Sequence, residues 1–182
     1  MVFNRLFWGF LFILFDFRLQ GFNVLPDIVG YIIIFSTLAR LIEDSPHFER
    51  ARKYAFPLIF LSILDIYEAP TNGININLGG SSLIVVISII GAIINLMMVY
   101  NVLKGIGEMA DGIKDYELMI MTEKRWRYYL FGQVAILSIV HLFLLIPLAL
   151  FLFIPLFIYV IIVGVLILAM LKQADRRFKM PY

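Results

Sequence analysis

Six long apolar runs divide the chain, at about residues 3–18, 27–42, 54–69, 82–103, 128–146 and 148–171. An α-helix needs about 20 such residues to cross a hydrocarbon core of about 30 Å. The pattern therefore predicts an all-α fold, a polytopic transmembrane bundle whose six spans form three antiparallel hairpins in one membrane domain over residues 1–182. The polar stretch between the fourth and fifth runs has its own periodicity. Ile106, Met109, Ile113, Tyr116 and Ile120 recur at helical spacing, with Glu108, Asp111, Lys114 and Asp115 on the other side. That spacing predicts an amphipathic segment over about 104–122, lying at the membrane interface or prolonging the fourth helix.

Local signals set the boundaries. Ser45-Pro46 has the form of an N-cap followed by proline at the first helical position, so the third helix should begin at 46 and climb through its span. Pro70-Thr71-Asn72-Gly73 should end it, and Thr122 is the expected cap of the fifth helix, with Trp126-Arg127-Tyr128-Tyr129 as its aromatic entry. The first run is short and rich in phenylalanine; it is expected to span rather than to fold back as a re-entrant arm. Arg5 followed by Leu6 to Phe15 imitates a secretory signal, but residues 16–20 offer no small-x-small cleavage site, so an uncleaved helix is expected. Ser88, Gly91, Ala92 and Asn95 fall on one stripe of the fourth helix, which predicts a close helix contact there.

Charge orients this framework. Of the 15 Lys and Arg, Arg40, Arg50, Arg52 and Lys53 lie between the second and third runs. Lys104, Lys114, Lys124, Arg125 and Arg127 lie between the fourth and fifth, and Lys172, Arg176, Arg177 and Lys179 follow the sixth, while the third-to-fourth and fifth-to-sixth connections have none. Because cytoplasmic loops hold Lys and Arg in excess, both chain ends are expected in the cytoplasm.

With 62% hydrophobic residues, 15% charged residues and a mean hydropathy of +0.94, the chain has too little polar surface to coat a soluble globule. The net charge of +2 belongs to segments facing an anionic leaflet, so a nucleic-acid partner is disfavoured. Zero cysteines exclude disulfides, thiolate metal sites and cysteine nucleophiles.

Polar groups near the spans are the best pointers to function, because each is costly in hydrocarbon unless paired or wet. Asp16, Arg18, Asp27, Asp65 and Glu68 gather at the outer ends of the first three helices, four acids against one base. They could form an external cation site or the mouth of a proton-coupled path. Headgroup water and pairing around Arg18 account for them more simply. Asn95 and His141 lie within spans, and hydrogen bonding to a neighbouring helix is preferred for both over proton relay. The chain has no HExxH, Gly-rich phosphate loop or Gly-x-Ser-x-Gly, and His47 stands far from His141, so no enzyme, metal or cofactor is expected.

The stretch Asp16-Phe17-Arg18-Leu19-Gln20-Gly21-Phe22-Asn23-Val24-Leu25-Pro26-Asp27-Ile28-Val29-Gly30-Tyr31 resembles the N-terminal signature of a group of small multi-pass proteins of Gram-positive bacteria with no established activity. The resemblance covers about a sixth of the chain and implies a bacterial cytoplasmic membrane. Physically, Gly21, Pro26 and Gly30 would shape a tight external hairpin whose arms Asp16, Arg18 and Asp27 tie together. The expected role is a non-enzymatic accessory or structural membrane component, partnered by the bilayer and by either a second copy or another membrane protein. The alternative is a small cation- or proton-coupled carrier using the acidic cluster, and an intramembrane enzyme acting on lipid ranks last.

Overall fold

The structure, a computed structural model, describes residues 2–14, 18–19, 22–23, 27–63, 82–143 and 149–178. Six α-helices follow one another: α1 (Val2–Leu14), α2 (Asp27–Leu38), α3 (Pro46–Leu61), α4 (Ser82–Gly112), α5 (Tyr116–Phe143) and α6 (Ala149–Arg177). Between α1 and α2 two short strands, β1 (Arg18–Leu19) and β2 (Phe22–Asn23), pair antiparallel with Arg18 opposite Asn23 and Leu19 opposite Phe22. Gly21, expected to shape a hairpin, lies outside the described residues.

Each helix packs on its neighbours in sequence, and α6 returns to α1, so the six helices close a ring. Closure is tied at one end. Phe3 of α1 stacks near Phe178 just beyond α6, with ring centroids 5.2 Å apart, and the Asn4 backbone N–H donates to Asp175 Oδ1 at 3.2 Å. A carboxylate at the first turn of α1 also meets the positive end of that helix dipole. The core lies toward the same end, where Phe48, Met98, Val102, Leu103, Ile106, Leu118 and Leu171 are all fully or almost fully buried.

The helix lengths correct the expected spans. Among the described residues, two helices, over Val86–Gly112 and Ile154–Arg177, are long and apolar enough to cross a membrane. At 13 and 12 residues, α1 and α2 rise about 20 Å and about 18 Å, well under a hydrocarbon core of about 30 Å. The α1 helix, described over Val2–Leu14, does not reach 18, since Arg18 and Leu19 are already extended in β1. The α2 helix gives way after Leu38 to successive turns, with Arg40 N–H on Thr37 O, Leu41 N–H on Leu38 O and Asp44 N–H on Leu41 O, each at 3.0 Å. The α3 helix begins where Ser45-Pro46 predicts, the Ser45 hydroxyl accepting from His47 N–H at 3.1 Å. It ends at Leu61, short of 69, with Ser62 as its C-cap. Charged residues in the first halves of α3 and α5 lower their mean hydropathy, while α6 continues past 171 into its charged end.

The segment 104–122 is not an element of its own. Its first part prolongs α4 to Gly112, and its last part opens α5 at Tyr116. Between them Lys114 adopts a left-handed conformation with φ 58°. Its N–H bonds Asp111 O at 2.9 Å and the next N–H, of Asp115, reaches back to Ala110 O at 2.8 Å, which satisfies the last carbonyls of α4 in a Schellman turn. Asp115 then caps α5, its Oδ1 accepting from Leu118 N–H at 3.0 Å. Thr122, the expected cap, lies buried inside α5 and returns its hydroxyl proton to Met119 O at 2.7 Å.

A tight helix crossing also lies elsewhere than on the expected stripe. At the crossing of α1 and α2, a Cβ on Gly30 would lie 2.7 Å from Gly9 O, and one on Gly9 would lie 2.7 Å from Ile34. Gly30 therefore serves a helix crossing, not the outer hairpin. On the Ser88–Asn95 stripe of α4, Ser88 is exposed and a Cβ on Gly91 would meet Leu61 only at 3.6 Å, an ordinary contact.

Candidate functional site

Among the described residues, every Asp, Glu, Lys and Arg other than Arg18 and Asp27 lies at one end of the ring, formed by the start of α1, the α2–α3 turn, the α4–α5 turn and the end of α6. Asp16, Asp65 and Glu68 lie outside the described residues. Arg18 is placed in β1 by its backbone alone, and Asp27 is half-buried at the first residue of α2. The expected outer cluster thus falls largely outside the described residues. Asn95 donates from Nδ2 to Tyr129 Oη at 3.0 Å, joining α4 to α5. His141 lies within α5, and its side chain is outside the description.

The charged end holds a cluster that the chain order hides. His47, the second residue of α3, sits with Nδ1 2.9 Å from Asn101 Oδ1 and Nε2 3.2 Å from Glu108 Oε1. Asn101 fixes its own orientation by donating from Nδ2 to Met97 O at 2.7 Å, so its Oδ1 must face the ring and Nδ1 carries the proton between them. The second oxygen of Glu108 accepts from Ser45 Oγ at 2.5 Å. Asn101 and Glu108 are seven residues apart on α4, two turns along one face, which is what brings both to the same imidazole. Both ring nitrogens and both carboxylate oxygens are engaged, and only 13% of the His47 side chain is exposed. The Glu108 side chain, 42% exposed, keeps further acceptor sites open to solvent. The arrangement is a bracket between α3 and α4, beside which Phe48 packs its ring against the bare Cα of Gly105.

A second polar cluster joins α6 to the α4–α5 turn. Arg177 donates from Nη1 to Asp115 at 2.6 and 2.7 Å and from Nη2 to Glu117 at 2.6 Å. Burial alone would raise the Asp115 carboxyl, but the Arg177 guanidinium and the Leu118 N–H together outweigh it and hold the group below its ordinary value. The two carboxylates in turn push the Arg177 guanidinium up.

Two grooves open at this end. One, of about 250 Å³, runs between α4 and α5 and is lined by Tyr100, Lys104, Glu123, Trp126 and Arg127. The other, between α2 and α3, is lined by Phe35, Glu49, Arg52, Lys53 and Phe56. In the second the cations are already occupied, since the Arg52 guanidinium stacks 4.4 Å over the Phe35 ring and Lys53 Nζ lies 2.7 Å from Glu49 Oε1. Among the described residues no three His, Asp or Glu side chains converge as metal ligands.

No protein-family model, no curated protein and no solved structure matches this chain.

Proposed function

We propose that this is a multi-pass protein of the bacterial cytoplasmic membrane, a non-enzymatic accessory or structural component whose charged end faces the cytoplasm. The observation that carries the reading is the segregation of the helices into a charged end and apolar flanks. On α4, Val86, Ile90, Ile93 and Met97 are exposed along one stripe, and on α6 Ile154, Phe157, Ile158, Ile161, Ile162 and Val165 are exposed together. Only 28% of each long apolar window is buried, whereas a core helix of a soluble protein would be mostly covered. Aqueous solvent would disfavour such stripes strongly, and lipid accepts them. In this reading all six helices cross, with the bilayer thinned around the short α1–α2 pair.

The engagement of both His47 ring nitrogens supports a structural over a catalytic role for that polar cluster. The carrier reading draws on Asp16, Arg18, Asp27, Asp65 and Glu68, of which Asp16, Asp65 and Glu68 lie outside the described residues. Since the chain has no cysteine, single cysteines report orientation cleanly. A cysteine at Asp111 is expected to label only from the cytoplasmic side and one at Asn75 only from outside; labelling of both from one side would overturn the orientation. A photo-crosslinker at the exposed Glu43 is expected to yield one discrete adduct with a membrane protein in native membranes. Adducts with lipid alone would overturn the accessory role.

A further inference from the structure

We propose that the groove between α4 and α5 at the charged end holds the phosphodiester headgroup of an anionic phospholipid, with an acyl chain laid along the exposed stripes above it; this rests on the membrane reading above. Three observations converge. The first is the chemistry of the groove, in which Lys104 and Arg127 flank an aromatic floor where Tyr100 and Trp126 stack with centroids 4.8 Å apart. Arg127 has one acidic neighbour, Glu123, at 4.0 Å, with both side chains more than half exposed. Such a contact holds the guanidinium weakly and leaves its fork for a phosphate, which it matches in geometry. Glu123 is then placed to accept from a headgroup hydroxyl.

The second is register. On α4, residues 86, 90, 93, 97, 100 and 104 recur at steps of four and three, so the exposed Val86, Ile90, Ile93 and Met97 lie on one stripe with Tyr100 and Lys104. On α5, Arg127, Phe131 and Val134 share a stripe in the same way, and Phe131 is 65% exposed. Two apolar tracks therefore run out of one cationic groove, which is the shape of a lipid: charged head, apolar tail. The third is size. A groove of about 250 Å³ suits a headgroup and is small for a drug-sized ligand. Basic recesses on the cytoplasmic side of helical membrane proteins are where anionic headgroups bind.

The α2–α3 groove supplies the control, because its cations are committed to Phe35 and Glu49. The test reconstitutes the full chain in lipid nanodiscs of phosphatidylcholine with increasing phosphatidylglycerol. It reads the phosphatidylglycerol retained by native mass spectrometry and the thermal midpoint. The wild type should retain phosphatidylglycerol preferentially. The Lys104→Gln/Arg127→Gln double variant should lose roughly an order of magnitude in apparent affinity. Arg52→Gln/Lys53→Gln, an equal charge change in that control groove, should retain it, and so should Lys104→Arg. Equal losses in the two double variants would overturn the proposal in favour of diffuse charge. A midpoint rise with inorganic phosphate in detergent that matches the lipid effect would overturn the lipid as the source. Incorporation into discs without any preference for phosphatidylglycerol would overturn this proposal alone, whereas failure to incorporate would overturn the membrane reading beneath it.

Discussion

Arg177, the last residue of α6, grips both oxygens of Asp115, the N-cap of α5, at 2.6 and 2.7 Å. The pair closes the charged end of the ring in a way that the backbone does not. Asp115 is already fixed as cap of α5 by Leu118 N–H, so the guanidinium meets a carboxylate that has little freedom left to lose. Across the end of α6, Asp175 accepts from Asn4 N–H, so one helical turn secures α1 on one side and the α4–α5 turn on the other.

Replacing Arg177 with Met should therefore destabilise the protein by about 1–3 kcal/mol, the usual range for bonds to a charged group that is left behind partly buried. Arg177→Lys should recover only part of this, because the guanidinium uses Nη1 for Asp115 and Nη2 for Glu117 and an ammonium has one nitrogen for both. Glu117, whose side chain is 70% exposed, should matter little, and Glu117→Gln should stay within about 0.5 kcal/mol. Thermal or denaturant unfolding in a fixed detergent measures all three.

The same contact predicts the acid response. The Asp115 carboxyl, held below its ordinary value of 3.8, binds a proton less readily in the folded state than in the unfolded one. Its stabilisation is complete above that unfolded value and is lost as pH falls through the lower folded value. The wild-type midpoint should accordingly drop over about pH 5 to 2, and Asp115→Asn should flatten that drop while lowering the midpoint near neutrality. An unchanged acid slope in the variant would show that the acid response comes from other carboxylates.

Lys114 offers the opposite sign. It occupies the left-handed position of the α4–α5 turn at φ 58°, where a side chain is strained by roughly 1–2 kcal/mol and glycine is not. The Lys114 side chain is exposed, so Lys114→Gly should raise stability by about 1 kcal/mol, visible as a higher unfolding midpoint. Lys114→Val should lower it.

These details mark how far the sequence could be read. The Ser45-Pro46 start was legible because a cap is a local device, and the alternation of Lys and Arg was legible because it needs no contacts. Six helices followed from apolar runs, but their ends did not: the first run reaches about 18, yet Arg18 and Leu19 are extended in β1, and hydrophobicity does not say where a chain becomes extended. The break at Ile113–Asp115 was hidden because Ile106, Met109, Ile113, Tyr116 and Ile120 keep helical spacing straight through the turn, and because the left-handed residue is Lys114 and not the nearby Gly112. His47 read as solitary since its partners Asn101 and Glu108 stand more than 50 positions away. The one available signal was that those two lie seven apart on one face of α4.

The crossing of α1 on α2 gives the sharpest contrast between glycines that look alike in the sequence. A methyl on Gly30 would be driven to 2.7 Å from the carbonyl oxygen of Gly9, a backbone atom that cannot rotate aside, and to 2.7 Å from Ile13. The two short helices would have to separate, and the Gly9, Tyr31 and Ile34 contacts between them would open with it. Gly30→Ala should therefore cost about 1–3 kcal/mol, the usual range for overpacking, even though alanine is the better helix former. At Gly91 the nearest atom to an added methyl is Leu61 Cδ1 at 3.6 Å, so Gly91→Ala should be neutral or stabilising by about 0.5–1 kcal/mol. Measured side by side in one detergent, the two variants should move the unfolding midpoint in different directions. A neutral Gly30→Ala would mean that α1 and α2 do not cross at these residues.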